Sequence, residues 1–377
     1  MVNLNIDSSL KILEMLGECP STSFHENLIF QCIKRILSSE NIPFKTDTYG
    51  NILARIEGTK PQNKPVAFVA HMDHPGFELV EKLEDSIFRA KTLGGLPKLC
   101  EINESKVKII NEKNVIYGKI LFHEKGKNPS NFRFSNSDRW LNKENVIIEV
   151  ENNNFELPAP AVFDLPNPII KNNEIMTPVA DDLAGCALIL ETLKSLKDIK
   201  TQYSFRGIFS RAEEVGLYGA RLIANSNRIS KKSIIVSVET SSELPGARSG
   251  FGPIIRTGDR STTFNNDGEI ILLSAVKEIL KTNRSFKFQR QLMDLGGSEA
   301  TAFSAFGYKV TGISLPLINW HNSNDSGSVE SERISLTDYD NALNIMTKVG
   351  KLDIVENKDY YKNLIEIPIE ANRLEKI

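Results

Sequence analysis

Hydrophobic positions near the start of the chain recur with a helical period. In FHENLIFQCIKRILSS, residues 24–39, Leu28, Ile29, Cys32, Ile33, Ile36 and Leu37 fall on one face, which predicts an amphipathic helix. The opening MVNLNIDSSLKILEMLGE reads as a helix too. It has no basic leader and carries Asp7 and Glu14 early, unlike a signal peptide. The period then shortens. DTYGNILARIEG reads as a hairpin turning near Gly50, and KPVAFVAHMDHPGF holds an apolar strand, Val66 to Ala70. Alternation of helix and strand predicts an α/β layer structure.

From about Gly76 to about Glu174 the texture changes. Strand-like pieces (KVKII, GKILFH, NVIIEVE) alternate with polar turns rich in Asn and Lys, and no long helix is predicted. This span, 76–174, reads as a small all-β module inserted into an α/β domain made of 1–75 and 175–377. Its strands carry few apolar residues, so no large core of its own is expected. A small sheet with exposed edges seeks cover or pairing. The helical texture resumes in MTPVADDLAGCALILETLKSLKD, where Leu183, Cys186, Ala187, Leu190 and Leu193 form a stripe behind an acidic start. A last helix is expected around TDYDNALNIMTKVGKL.

Composition changes this picture little. A chain of 377 residues has room for two domains and a sizeable core. With 40% hydrophobic and 25% charged residues it fits neither a disordered nor a membrane class. Its 46 basic and 48 acidic residues give no electrostatic signal for nucleic acid. No apolar run approaches a membrane span. The cysteines, Cys19, Cys32, Cys100 and Cys186, form no C-x-x-C pair and imply no disulfide framework. A reduced, cytoplasmic setting is expected.

Candidate chemistry gathers where strands end. SFRGIFSRAEEVGLYGAR places Glu213 and Glu214 side by side after an apolar run. Val66–Ala70 runs into His71, with Asp73 two residues on. SIIVSVE ends in Glu239, KVTGISLPLINWH in His321, and IMTPVADD leads into Asp181 and Asp182. Each alone has a plain reading: a solvated loop for the glutamates, a helix cap for the aspartates, a surface or core histidine for His71 or His321. His25, His74 and His123 keep that reading, with His74 notable for its nearness to His71. Ligands of open α/β sheets bind outside the carboxyl ends of strands, and five such ends carrying only His, Asp or Glu read as a site. Two imidazoles and three carboxylates suit two divalent ions sharing one bridging carboxylate, zinc first, with cobalt or manganese as substitutes. Of adjacent glutamates, one can bind metal while the other handles a proton. Asp73 is placed to accept the free imidazole N–H of His71.

These motifs resemble the di-zinc aminopeptidase clan, and most closely its M42 family of glutamyl and tetrahedral aminopeptidases. AHMDHPGF is similar to that family's His-x-Asp strand end, VADDLAGCALILETL to its Asp-Asp segment, and SRAEEVGLYGAR to its Glu-Glu-Val-Gly stretch. RTGDRSTTFN and GGSEATAF are similar to two of its turns. The long gap between His71 and Asp181 and the shorter one between Glu239 and His321 favour M42 over the M20 and M28 families. The resemblance implies a three-layer αβα peptidase domain on a mixed sheet with an inserted barrel-like β domain that mediates dimerisation, sometimes within a dodecamer. It implies one metal on His71, Asp181 and Glu239 and a second on Asp181, Glu214 and His321. Glu213 would be the general base and Asp73 the residue orienting His71. The implied activity is removal of N-terminal residues from short peptides. Leu183 stands where the family usually has Arg, Glu239 where Asp is common, and NWHNSND departs from the usual segment around the last histidine. These departures keep open a related amidase, deacylase or carboxypeptidase-like hydrolase. A non-catalytic protein on the same fold would be favoured by a missing ligand or base, and none is missing.

Overall fold

The computed structural model describes residues 4–60, 64–95, 102–111, 115–124, 145–353 and 360–374. Helices α1 (Leu4–Gly17) and α2 (Asn27–Ser39) open the chain, and α2 buries Ile29, Cys32, Ile33, Ile36 and Leu37. Strands β1 (Phe44–Thr46) and β2 (Ile52–Ile56) pair antiparallel as the expected hairpin. Between them the Asp47 carboxylate accepts the amides of Tyr49 and Asn51, and Gly50 takes φ +85°, a value that favours glycine. Strand β3 (Val66–His71) is buried along its whole length.

Next come β4 (Gly76–Lys82), β5 (Ile87–Leu93), β6 (Lys106–Ile110), β7 (Val115–Glu124), β8 (Asn145–Val150) and β9 (Ala159–Phe163). They close into a barrel in the order β4-β5-β8-β7-β6-β9, with β9 returning to β4. The barrel has its own core, including Phe77, Leu79, Phe88, Ile109, Ile120, Ile148 and Phe163. Both expectations about this module are thereby corrected. Closure makes an interior out of one apolar residue in two, so few apolar residues per strand suffice, and it leaves no free edge. The Asn- and Lys-rich stretch 125–144 lies outside the described residues. The barrel's strands end at Phe163, because β10 (Ile169–Lys171) and β11 (Glu174–Thr177) belong to the large sheet.

The remainder alternates: α3 (Leu183–Leu196), β12 (Phe205–Ser210), α4 (Tyr218–Asn225), β13 (Ile234–Ser242), β14 (Ile254–Asp259), α5 (Asn266–Thr282), β15 (Gln289–Met293), α6 (Glu299–Ala305), β16 (Lys309–Ile318), β17 (Glu332–Ser335) and α7 (Leu336–Gly350). The 11-stranded sheet runs β1-β2-β12-β3-β13-β16-β17-β11-β10, with β14 joining β16 and β15. Strand alternation splits its two faces. Phe68, Ala70, Val236 and Val238 pack with α1, α2, α3, α5 and α7, whereas Ala67, Val69 and Ile235 pack with α4 and α6. This makes the mixed-sheet αβα sandwich that the motifs implied. Its centre, β12, β3, β13 and β16, is parallel, and Ser210 lies opposite His71. Parallel neighbours in register bring their carboxyl ends to one edge, which is where the candidate ligands sit.

Candidate metal centre

His71 closes β3, Glu213 and Glu214 follow β12, Glu239 lies within β13, and His321 follows β16. Asp181 and Asp182 precede α3. Asp182 caps that helix by accepting the Gly185 amide at 3.1 Å, which leaves Asp181 to face the strand ends. His71 Nε2 lies 3.3 Å from Asp181 Oδ1 and 3.9 Å from Glu213 Oε2. His321 Nε2 lies 3.3 Å from Glu214 Oε1 and 3.8 Å from Asp181 Oδ2. Three overlapping groups of metal-capable atoms result: His71 with Asp181 and Glu239, Asp181 with Glu214 and His321, and His71 with Glu213 and Glu214. Within each, the candidate ligand atoms lie within 4.8 Å of one another. Asp181 belongs to the first two, on either side of one carboxylate.

Both histidines present Nε2 to the site because Nδ1 is engaged elsewhere. His71 Nδ1 meets the main-chain carbonyl of Asp73 at 2.9 Å, and His321 Nδ1 meets that of Gly95. A carbonyl only accepts, so Nδ1 carries a proton in either charge state and Nε2 is the nitrogen left to face the carboxylates. The contact between His71 and the Asp73 carboxylate expected from the sequence is not what forms, since that carboxylate lies 3.7 Å from Nδ1. It accepts instead the amides of Glu213 and Glu214, at 2.9 and 3.2 Å, and the Ser23 hydroxyl at 2.6 Å. Asp73 therefore orients His71 through its backbone and the glutamate pair through its side chain.

Two further carboxylates support the site, and the sequence reading passed over both. Glu332, fully buried, accepts the Ala180 and Asp181 amides at 2.7 and 2.9 Å on one oxygen and the His321 amide at 2.9 Å on the other. It fixes the two ligand-bearing turns to each other. Glu299, also fully buried, accepts the hydroxyls of Ser210 and Ser237, and Ser237 also reaches Glu239 at 3.1 Å. The only local signal for Glu299 was its place in GGSEATAF. For Glu332 there was none, since its partners are remote in sequence. His74 joins the Asp181 carbonyl to the Asn322 side chain, at 2.7 and 3.0 Å. His25 pairs with Glu78 on the barrel, and the side chain of His123 is outside the described residues. Leu183 is buried and lines a small cavity with His74, Phe163 and Asn322.

The electrostatics of the cluster suit a cation. Burial pushes the carboxyls of Glu213 and Glu239 well above the usual range, and neighbouring carboxylates add to the shift. Burial also raises Asp182 strongly and Glu332 to about 7. Asp181 is held low against its own burial by His71 and by the charges of His321 and His74. Asp181 Oδ1 is buried with no hydrogen-bond partner among the described residues. An orphaned carboxylate oxygen, two inward-facing imidazole nitrogens and two more carboxylates fit divalent cations.

Two predictions arise here. Glu332→Gln leaves an amide N–H facing a main-chain N–H, so one ligand turn loses its acceptor. Metal affinity should fall by about 10–100-fold, measured by equilibrium dialysis, with the circular dichroism spectrum unchanged. The second concerns pH. Burial opposes the His321 imidazolium, but the charge and hydrogen bond of Glu214 and the charge of Asp181 raise it to about 9. Its ion pairing therefore stabilises the chelated chain fully below the unfolded value, about 6.5, and is lost as pH rises through about 9. A metal needs the neutral ring, so the folded chain's zinc affinity should rise with pH throughout the range below about 9 and level off above it. Affinity that stays flat across this window would contradict the assignment of His321 as a ligand.

Comparison with known proteins gives the family and the fold. A family model described as M42 glutamyl aminopeptidase matches residues 50–345. The chain belongs to the M42 family, whose members are metal-dependent hydrolases, and by that membership it is an aminopeptidase. A relative from Acetivibrio thermocellus, whose own aminopeptidase name is provisional, is 25% identical over 316 residues, covering 81% of this chain and 87% of that protein. Among solved structures, the TET1 peptidase of Pyrococcus horikoshii, described as assembling into a tetrahedron or a large octahedral shell, superposes with a TM-score of 0.73 at 21% identity. That match covers 91% of this chain and 99% of the other. An aminopeptidase from Desulfurococcus kamchatkensis gives a TM-score of 0.73 at 19% identity over 97% and 99% of the two chains. Among the described residues, no helix is long and apolar enough to cross a membrane.

Proposed function

We propose that this chain removes N-terminal residues from short peptides with two divalent ions, zinc in the first instance and cobalt or manganese as substitutes. One ion is assigned to His71, Asp181 and Glu239, the other to Asp181, Glu214 and His321. The observation that carries this reading is the pair of ligand groups sharing Asp181. Ions bound there would supply polarisation of a carbonyl and a low pKa for water. Glu213 acts as general base, taking the proton from the attacking water and returning it to the leaving amine. Its buried carboxyl, raised above the usual range, suits a group that must take up a proton and give it back. Asp73, bonded to both glutamate amides, keeps Glu213 and Glu214 in their separate roles. Unpaired Cys19, Cys32 and Cys186 support a reducing, cytoplasmic setting.

A homo-oligomer, at least a dimer, is part of the reading. It is supported by the dodecamer and shells described for the TET1 relatives and by Val115, Tyr117 and Phe122 exposed on β7. Light scattering at micromolar concentration should return at least twice the monomer mass. Trp320 supports a second reading, a deacylase. Partly exposed, it stacks on His321 with ring centroids 3.6 Å apart and offers an apolar face to an acyl group. Aminoacyl and N-acyl chromogenic substrates, assayed with added zinc, cobalt or manganese, separate the two. Release from free-amino substrates is expected, whereas release only from N-blocked ones would replace the aminopeptidase reading by the deacylase.

A further inference from the structure

The segment joining α1 to α2 carries a thiol pair on one side and holds the β3 strand end on the other. The sulfurs of Cys19 and Cys32 both donate to the main-chain carbonyl of Met15, at 3.5 and 3.7 Å. Sharing that acceptor, each thiol lies close enough to the other to shift its ionisation. Cys32 is buried on α2 and Cys19 half-buried in the connection. The neighbouring Cys19 thiol, together with the Arg35 guanidinium one turn along α2, lowers Cys32 to about 7 against its burial. Cys19 is pushed far up by the Cys32 sulfur and by burial. Cys32 is thus the more readily ionised sulfur and Cys19 a thiol beside it that is partly open to solvent, the pairing of an attacking and a resolving cysteine.

The same connection reaches the active centre. Ser21 donates to the Met72 carbonyl and Ser23 to the Asp73 carboxylate, each at 2.6 Å. Asp73 in turn holds the Glu213 and Glu214 amides. A disulfide requires its sulfurs about 2.05 Å apart. Cys32 is anchored in the helix core, so closing the gap must draw Cys19 and the residues after it.

We propose that Cys19 and Cys32 are a redox-active dithiol that peroxide closes to an intrachain disulfide, reversibly lowering activity by displacing Ser21 and Ser23 from Met72 and Asp73. The Cys32 thiolate attacks one oxygen of hydrogen peroxide, the O–O bond breaks, and the departing hydroxide takes up a proton to leave as water. The Cys32 sulfur, oxidised by two electrons, is now a sulfenic acid. The Cys19 sulfur attacks it, the S–S bond forms, the S–O bond breaks, and the hydroxyl leaves with the Cys19 proton as a second water. Disulfide formation is independent of the aminopeptidase reading, and only the effect on activity rests on it.

The test uses the metal-loaded full chain titrated with hydrogen peroxide, followed by thiol counting in denaturant and peptide mapping. Of the four thiols, two should be lost, with Cys19 and Cys32 in one cross-linked peptide and the mass down by about 2 Da. Peptidase activity should fall on the order of 10-fold and return with a phosphine reductant. Cys19→Ser and Cys32→Ser should keep the basal rate and abolish both responses. Four thiols surviving peroxide, a different pairing, a disulfide without effect on rate, or an equal loss of rate in Cys32→Ser would each overturn the proposal. If peptides are not the substrate, thiol count and mass still decide the chemistry. Affinity for added zinc, unchanged by oxidation in that case, would refute the coupling.

Discussion

Glu213→Gln is expected to retain both metals and lose most of its turnover, by on the order of 10²–10⁴-fold. The amide matches the carboxylate in size and keeps the main-chain bond to Asp73, so the local backbone should not move. What it removes is the group that accepts a proton. The group also falls in a metal-capable set with His71 and Glu214, so geometry allows it a second role as ligand. Elemental analysis beside the rate separates the two. A variant with full metal and little turnover is a base variant, whereas metal lost in step with turnover makes Glu213 a ligand. Full turnover with full metal would leave it neither role.

The second large effect is expected from Asp181. It is the one carboxylate shared by the two ligand groups, and one of its oxygens has no partner within the described chain. Asp181→Ala should therefore deplete both ions together, while Glu239→Ala should deplete one. Losing both removes several kcal/mol of transition-state stabilisation, on the order of 10³-fold or more in rate. Removing a buried carboxylate beside His71 and His321 also removes what holds both imidazoliums, so the apo variant's histidines should titrate lower. Metal stoichiometry of exactly the wild-type value in Asp181→Ala would refute the bridge.

Glu213 and Asp181 were both legible in the chain, for reasons that differ from those hiding their supports. A strand announces itself by local periodicity, and a carboxylate or imidazole at its end is visible in a window of ten residues. His71, Glu214, Glu239 and His321 could be found this way, and the M42 resemblance supplied their roles. The hairpin at Gly50 and helix α2 were equally local. Glu332 was not, because a glutamate opening a short strand reads as a solvated one. Its three amide partners belong to residues 180, 181 and 321, brought to it only by the pairing of β17 with β11 and β16.

By itself, then, the sequence determined the elements, the α/β class, the inserted β module and the His, Asp and Glu residues that gather at the strand ends, since each depends on neighbours within a turn or a pleat. The tertiary structure decided the rest. Closure of β9 onto β4 gave the module a core that apolar content per strand did not foretell. The backbone of Asp73, rather than its carboxylate, took the His71 ring, because that carboxylate was claimed by two amides and a hydroxyl from elsewhere. Cys19 and Cys32, unremarkable in the chain, meet at one carbonyl because α1 and α2 fold back on each other. Buried polar groups must find partners wherever the fold offers them, and those partners are long-range by nature, so no local pattern records them.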